Sequence, residues 1–176
     1  MTRRILIIDP QKDFTHQKGN YAGRHQGITR ILEVKENINR LLLKHRKEEV
    51  LIIISDYQKD QFGQGVSMCI PGTEGHEIDI EADKSHTFIT KSQHSCFSSS
   101  YFINHLREHH VQELIICGFL AEYCVQATAI DALENGYAVV LIRDCIGTGD
   151  DVQARKEEML LMLKEKGAVI RDSIDV

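Results

Sequence analysis

The chain has 176 residues, 42% hydrophobic and 27% charged, with a net charge of −5. Its acids and bases are interspersed, which argues against nucleic acid or an anionic membrane as the main partner. The five cysteines are scattered, odd in number and free of metal-type CxxC spacing, so a reducing compartment fits better than a disulfide framework.

The first strand is expected over residues 5–8, a short apolar run ending at Asp9-Pro10. Residues 1–4 lack the apolar region of a signal peptide, and no apolar run approaches membrane-spanning length, so a cytoplasmic location is expected. Asp13 and Phe14 fall in the loop that follows, and 15–27 is polar and aperiodic. A helix is expected over 28–49, with Ile28, Ile31, Leu32, Ile38, Leu41 and Leu42 on one face. A second buried strand, 50–54, ends at Ser55-Asp56. Residues 57–85 form a long connection punctuated by Gly63, Gly65, Pro71-Gly72 and Gly75; connections of this length are usually functional or mobile. A third strand, 87–90, ends at Lys91, and Ser98 to Ser100 can cap a helix over 101–110. The fourth strand, 114–117, is ended by Gly118. A helical pattern follows, with small or apolar residues at Val125, Ala127, Thr128, Ala129, Ala132 and Leu133, and Gly136 stops it. A fifth strand, 138–142, ends at Arg143-Asp144. Asp150 or Asp151 can cap a helix running to Lys166, and a last strand begins at 168–170.

Strands and helices alternate throughout, and the strands are continuous apolar runs buried on both faces. The pattern predicts one domain over 1–176: a three-layer α/β/α, Rossmann-like fold with a mainly parallel sheet of about six strands. Ligands of such sheets bind beyond the carboxyl ends of the strands. Asp9, Asp56, Lys91, Cys124 and Asp144 are all expected at that edge. Cys124 stands where a helix begins, where free backbone N–H groups and the helix dipole favour an anion and lower a thiol pKa. The alternative is a small, well-packed and inert cysteine. Asp9 can act as a base or can simply accept backbone N–H bonds. Lys91 can stabilise a thiolate or lie on the surface. A Cys124–His94 pair is a further option, and His94 with Cys96 makes only an incomplete metal ligand set. The loop GTGDD at 147–151 is not a phosphate-binding GxxxxGK[ST] loop, and no GxGxxG follows the first strand.

The segments IIDPQKDF, PGTEGHEI, TKSQHSCF and GFLAEYCVQATAIDALENGY, followed by VVLIRDCIGTG, occur in this order. Together they resemble the isochorismatase-like cysteine hydrolases, the superfamily of nicotinamidases and N-carbamoylsarcosine amidase, over nearly the whole chain. The resemblance implies a catalytic triad of Asp9, Lys91 and Cys124, and an oxyanion hole from the backbone N–H groups of Leu120 and Cys124. It also implies a cis peptide at Phe119-Leu120 and a homodimer or homotetramer. Asp56 is followed by Tyr57 and Gln58, with no histidine before His76, which departs from metal-dependent nicotinamidases. True isochorismatases lack the cysteine nucleophile, so Cys124 favours C–N hydrolysis over vinyl-ether hydrolysis.

The resulting expectation is an amidohydrolase without metal or cofactor. It cleaves a small amide or carbamoyl substrate through a thioester, with Phe14 and Phe97 lining the pocket. The rival readings are a metal-assisted nicotinamidase and a non-catalytic small-molecule-binding protein on the same fold.

Overall fold

A computed structural model describes residues 2–176. Six strands carry the fold: β1 (Arg3–Ile8), β2 (Val50–Ser55), β3 (Thr87–Lys91), β4 (Glu113–Phe119), β5 (Ala138–Gly147) and β6 (Val169–Arg171). All pair in parallel, in the order β3-β2-β1-β4-β5-β6. Ile5 to Ile8 and Val50 to Ile53 are buried on both faces, as their unbroken apolar runs require. The strand order reverses between β1 and β4. That is the topological switch point, where the loops at the carboxyl ends part and leave a crevice.

The helices are α1 (Lys12–Thr15), α2 (Thr29–Lys44), α3 (Ser100–Glu108), α4 (Gln126–Glu134) and α5 (Gln153–Glu165). α2 buries Ile31, Val34, Ile38, Leu41 and Leu42. It ends at Lys44 rather than at 49, because HRKEE offers no apolar residue to continue the buried stripe; a short turn, Lys47–Glu49, then leads into β2. α3 is capped by Ser99, whose hydroxyl accepts from Phe102 N–H. Asp150 caps a different helix from the expected one. Its carboxylate accepts from Thr29 N–H and Arg30 N–H, both at 2.8 Å, at the start of α2. α5 is entered through the turn Asp150–Val152 without a side-chain cap.

β4 and β5 both run further than their sequence pattern suggests. Ile116 pairs with Leu141, but Gly118 pairs with Ile146, so β5 bulges between these points. Asp144 lies within the bulged strand rather than at its end. Its carboxylate accepts from Ser173 N–H at 2.8 Å and Ser173 Oγ at 2.5 Å, and Asn37 donates to its carbonyl. The expectation that Asp144 joins the functional edge is therefore corrected.

Gly118 sits at φ 119°, and a Cβ there would stand 2.1 Å from Ile8 O and 2.5 Å from Ile8 N. β1 and β4 come this close one residue before Asp9 and two before Leu120. Gly118→Ala must part the strands at the switch point and should destabilise the fold by about 2–4 kcal/mol. Urea unfolding checks this; a loss below about 0.5 kcal/mol, the range of ordinary surface changes, would contradict the close approach.

Candidate active site

Asp9 directly follows β1 in the left-handed region, φ 52°, a conformation that aspartate tolerates better than most residues. Its N–H donates to Ile53 O at 2.9 Å, which ties it to β2. Lys91 ends β3, two strands away, and pairs in register with Ser55 at the end of β2. The lysine side chain spans that gap. Its Nζ, with three protons to share, lies 2.7 Å from Ser55 Oγ, 3.0 Å from each of Asp9 Oδ2, Tyr57 Oη and Gln93 O, and 3.4 Å from Cys124 Sγ. Ser55 Oγ in turn donates to Asp9 Oδ1 at 2.9 Å. Ser55 itself is held by Gln11, whose side chain takes Ser55 N–H at 2.8 Å and donates to Ser55 O at 3.0 Å.

Cys124 lies in a wide turn, Ala121–Val125, that leads into α4. Leu120 O accepts from both Tyr123 N–H and Val125 N–H at 3.2 Å. The Phe119-Leu120 peptide just before this turn is cis. Tyr57 Oη lies 3.3 Å, Lys91 Nζ 3.4 Å and His94 Nδ1 3.6 Å from Cys124 Sγ, and the Asp9 carboxylate also faces it.

The side chains of Asp9 and Lys91 are fully buried, so neither charge is stabilised by water. Burial alone would depress the Lys91 ammonium, but Asp9 and then Cys124 hold it well above the ordinary lysine value. Burial pushes the Cys124 thiol up, and the facing Asp9 carboxylate pushes it further; Lys91 opposes both without prevailing. The expectation of a lowered thiol pKa is thus corrected. A buried thiol in contact with an anion resists losing its proton, whatever the helix start contributes. Burial, then Lys91, lowers the His94 imidazole below its usual value.

Cys124 opens into a cavity of about 320 Å³ that is lined also by Phe14, Tyr57, Phe62, His94, Leu120 and Tyr123. The structure thus gathers Asp9, Lys91, Cys124, Leu120 and Phe14 in one place. Phe97 is a correction: it is not part of the lining and packs instead on Phe102 at 5.2 Å and Tyr137 at 5.9 Å. Its position six residues after Lys91 placed it near the site in sequence, but the following turn directs it towards α3. His94 and Cys96 do not form a metal pair. Cys96 is buried against Thr128, whose hydroxyl accepts from Cys96 N–H at 3.1 Å and lies 3.3 Å from its sulfur.

Of the site residues that sequence reasoning did not single out, three concern Asp56 and its flanks. Ser55 and Tyr57 flank Asp56 at the end of β2, and the polar residues after an apolar run were the available signal. The third is His76, twenty residues beyond Asp56, whose Nε2 lies 2.6 Å from Asp56 Oδ1. This pair bears on the metal that some similar enzymes carry. At 2.6 Å the two atoms are directly hydrogen-bonded. Two ligands of one zinc ion, each about 2.0–2.2 Å from it, would stand further apart in a tetrahedral site. Among the described residues no group of three or more His, Cys, Asp or Glu is placed to hold a metal. The donor set does not fit a three-ligand centre.

Comparison with known proteins agrees with this architecture. An isochorismatase domain model matches residues 4–175. The isochorismatase family protein YaaI of Bacillus subtilis is 34% identical over 162 residues, covering 85% of this chain and 82% of its own length. A pyrazinamidase of Pyrococcus horikoshii, solved in complex with zinc, shares the fold with a TM-score of 0.83 at 22% identity, over 98% of this chain and 99% of its own. N-carbamoylsarcosine amidase from Thermoplasma acidophilum does so with a TM-score of 0.81 at 18% identity, over 100% of this chain and 99% of its own. This chain belongs to the isochorismatase family, and its relatives include hydrolases.

Proposed function

We propose that the chain is a cysteine-nucleophile amidohydrolase that cleaves a C–N bond of a small amide or carbamoyl compound through a thioester. The observation that carries this reading is the placement of Cys124 Sγ. It opens to the cavity on one side and meets the buried Asp9–Lys91 pair on the other. The cavity is at the small end of ligand sites, which span about 300–1,000 Å³. The pyrazinamidase and N-carbamoylsarcosine amidase that share the fold act on compounds of this class by name.

In this mechanism the substrate carbonyl carbon docks against Cys124 Sγ. Asp9 takes the thiol proton as the S–C bond forms, and the Lys91 ammonium steadies the sulfur as it becomes anionic. The carbonyl electrons move to oxygen, where the N–H groups of Leu120 and Cys124 receive the charge. The tetrahedral intermediate collapses, the C–N bond breaks, and Asp9 returns its proton to the leaving amine. Water then hydrolyses the thioester. A thiol that is protonated at rest suits this sequence, because the proton is then available for the leaving group.

Two outcomes are expected. Against a panel of small amides, Cys124→Ala and Asp9→Asn should each lower turnover by at least about 10³-fold, while circular dichroism shows a folded chain. Substantial turnover by either variant would remove this mechanism. In the free protein, alkylation of Cys124 by iodoacetamide, followed by peptide mass spectrometry, should rise only above the ordinary thiol value of about 8.5. Asp9→Asn removes the facing anion and should move that rise to lower pH, although turnover is lost; Lys91→Met should move it higher. A wild-type midpoint below about 8.5 would contradict the electrostatic account.

A further inference from the structure

The cavity in front of Cys124 differs chemically between its floor and its mouth. At the floor, where the sulfur is buried, the Asp9 carboxylate and the Lys91 ammonium are paired with each other and carry no net formal charge. Above it, Phe14, Phe62, Val66, Met68 and Leu120 make an apolar wall. Tyr21 adds only its ring, because its hydroxyl is already committed. Tyr21 Oη accepts from Gly149 N–H at 3.1 Å and lies 3.1 Å from Thr148 Oγ1, whose own proton goes to Glu122 Oε2 at 2.7 Å. The Tyr21 proton therefore goes to Thr148.

Arg24 is exposed and lines the same cavity, which places it towards the mouth. Its guanidinium donates to Gly65 O, in the long connection after β2. Asn20 Nδ2 donates to Ser67 O at 3.0 Å beside it, so the two loops are tied together and the guanidinium is held in place. A guanidinium has five N–H donors, and among the described residues Gly65 O is its one hydrogen-bond partner; no carboxylate is paired with it. The acids nearest in the chain and the fold are committed elsewhere. Asp60 accepts from Gly65 N–H at 2.9 Å, Asp150 from the start of α2, and Asp151 is engaged with His25 Nδ1 at 2.9 Å. The cavity wall thus carries a permanent cation with donors to spare and no anion to meet it.

We propose that the cavity selects amides bearing a carboxylate beyond a short apolar spacer, and that Arg24 receives that carboxylate. This rests on the amidohydrolase reading above and names its substrate class. The amide carbon reaches Cys124, the spacer lies on the apolar wall, and the carboxylate takes charge-assisted hydrogen bonds from the guanidinium. Hydrolysis of a primary amide of this kind consumes one water, breaks the C–N bond and releases ammonia and a dicarboxylic acid.

The test labels Cys124 at about pH 9, above the ordinary thiol value of about 8.5, and reads the rate by peptide mass spectrometry. The probes are the N-iodoacetyl derivatives of glycine, β-alanine, γ-aminobutyrate and ε-aminohexanoate, each beside the N-alkyl iodoacetamide of matching length. The series covers the spacer length that joins the sulfur to Arg24. In wild type at least one acid should label about tenfold or more faster than its neutral match, the effect of a hydrogen bond to a charged group. In Arg24→Gln that acid-to-neutral ratio should fall to within about twofold of one, and Arg24→Lys should keep part of it. A wild-type ratio near one at every length overturns the proposal. So does a ratio that Arg24→Gln leaves unchanged, because Arg24 would then only tie the loops together. Ammonia release from succinamate, glutaramate and adipamate is measured beside it, with Cys124→Ala as the blank, and should depend on Cys124. A labelling preference without such release overturns the amidohydrolase reading and leaves an anion-binding pocket. Release with a labelling ratio near one keeps that reading and removes the role of Arg24.

Discussion

The ion pair between Lys91 and Asp9 is the interaction on which the site depends. Neither side chain touches water, so each charge is tolerable only because the other is within 3.0 Å. Removing one partner from such a pair typically costs about 3–5 kcal/mol, because the other charge is left buried and alone. Ser55 completes the arrangement by accepting from Lys91 and donating to Asp9, and Gln11 fixes Ser55 through its backbone. Three strand ends are thereby held in one constellation, and Cys124 is set against it. The pair also decides the resting state of the sulfur. Burial and the facing Asp9 carboxylate both raise the thiol pKa, while Lys91 Nζ, 3.4 Å from the sulfur, opposes them.

The sheet makes this geometry available. β1 and β4 are neighbours at the point where strand order reverses, so Asp9 and the turn carrying Cys124 emerge side by side. Gly118 lets the two strands approach closely there. The long connection after β2 supplies Tyr57 and Phe62 to the cavity wall, so its scarcity of regular structure serves the pocket rather than the core.

Much of this was legible in the sequence, for reasons that differ by residue. Apolar runs bounded by turn residues located all six strands; in β1, β2 and β4 the run is long because both faces are buried, whereas the edge strands β3 and β6 are partly exposed and gave only short runs. Asp9 and Lys91 were singled out because each directly follows such a run, and Cys124 because it stands where the helix after the fourth strand begins. The bulge that displaces Asp144 was not visible, since register depends on the partner strand rather than on local pattern. Phe97 and His76 failed in opposite ways. Proximity in sequence suggested a pocket for Phe97, and distance in sequence hid the contact between His76 and Asp56. The ionisation of Cys124 was misjudged because local helix geometry is readable from sequence, whereas burial and a facing carboxylate are not.

The most direct test of this account is a double-mutant cycle on stability, using Asp9→Asn, Lys91→Met and the double variant in urea unfolding. If the buried pair organises the site, each single change is costly and the double costs less than their sum, with a coupling of about 2–3 kcal/mol. Single effects that add to within about 0.5 kcal/mol would show two independent residues and would contradict the account.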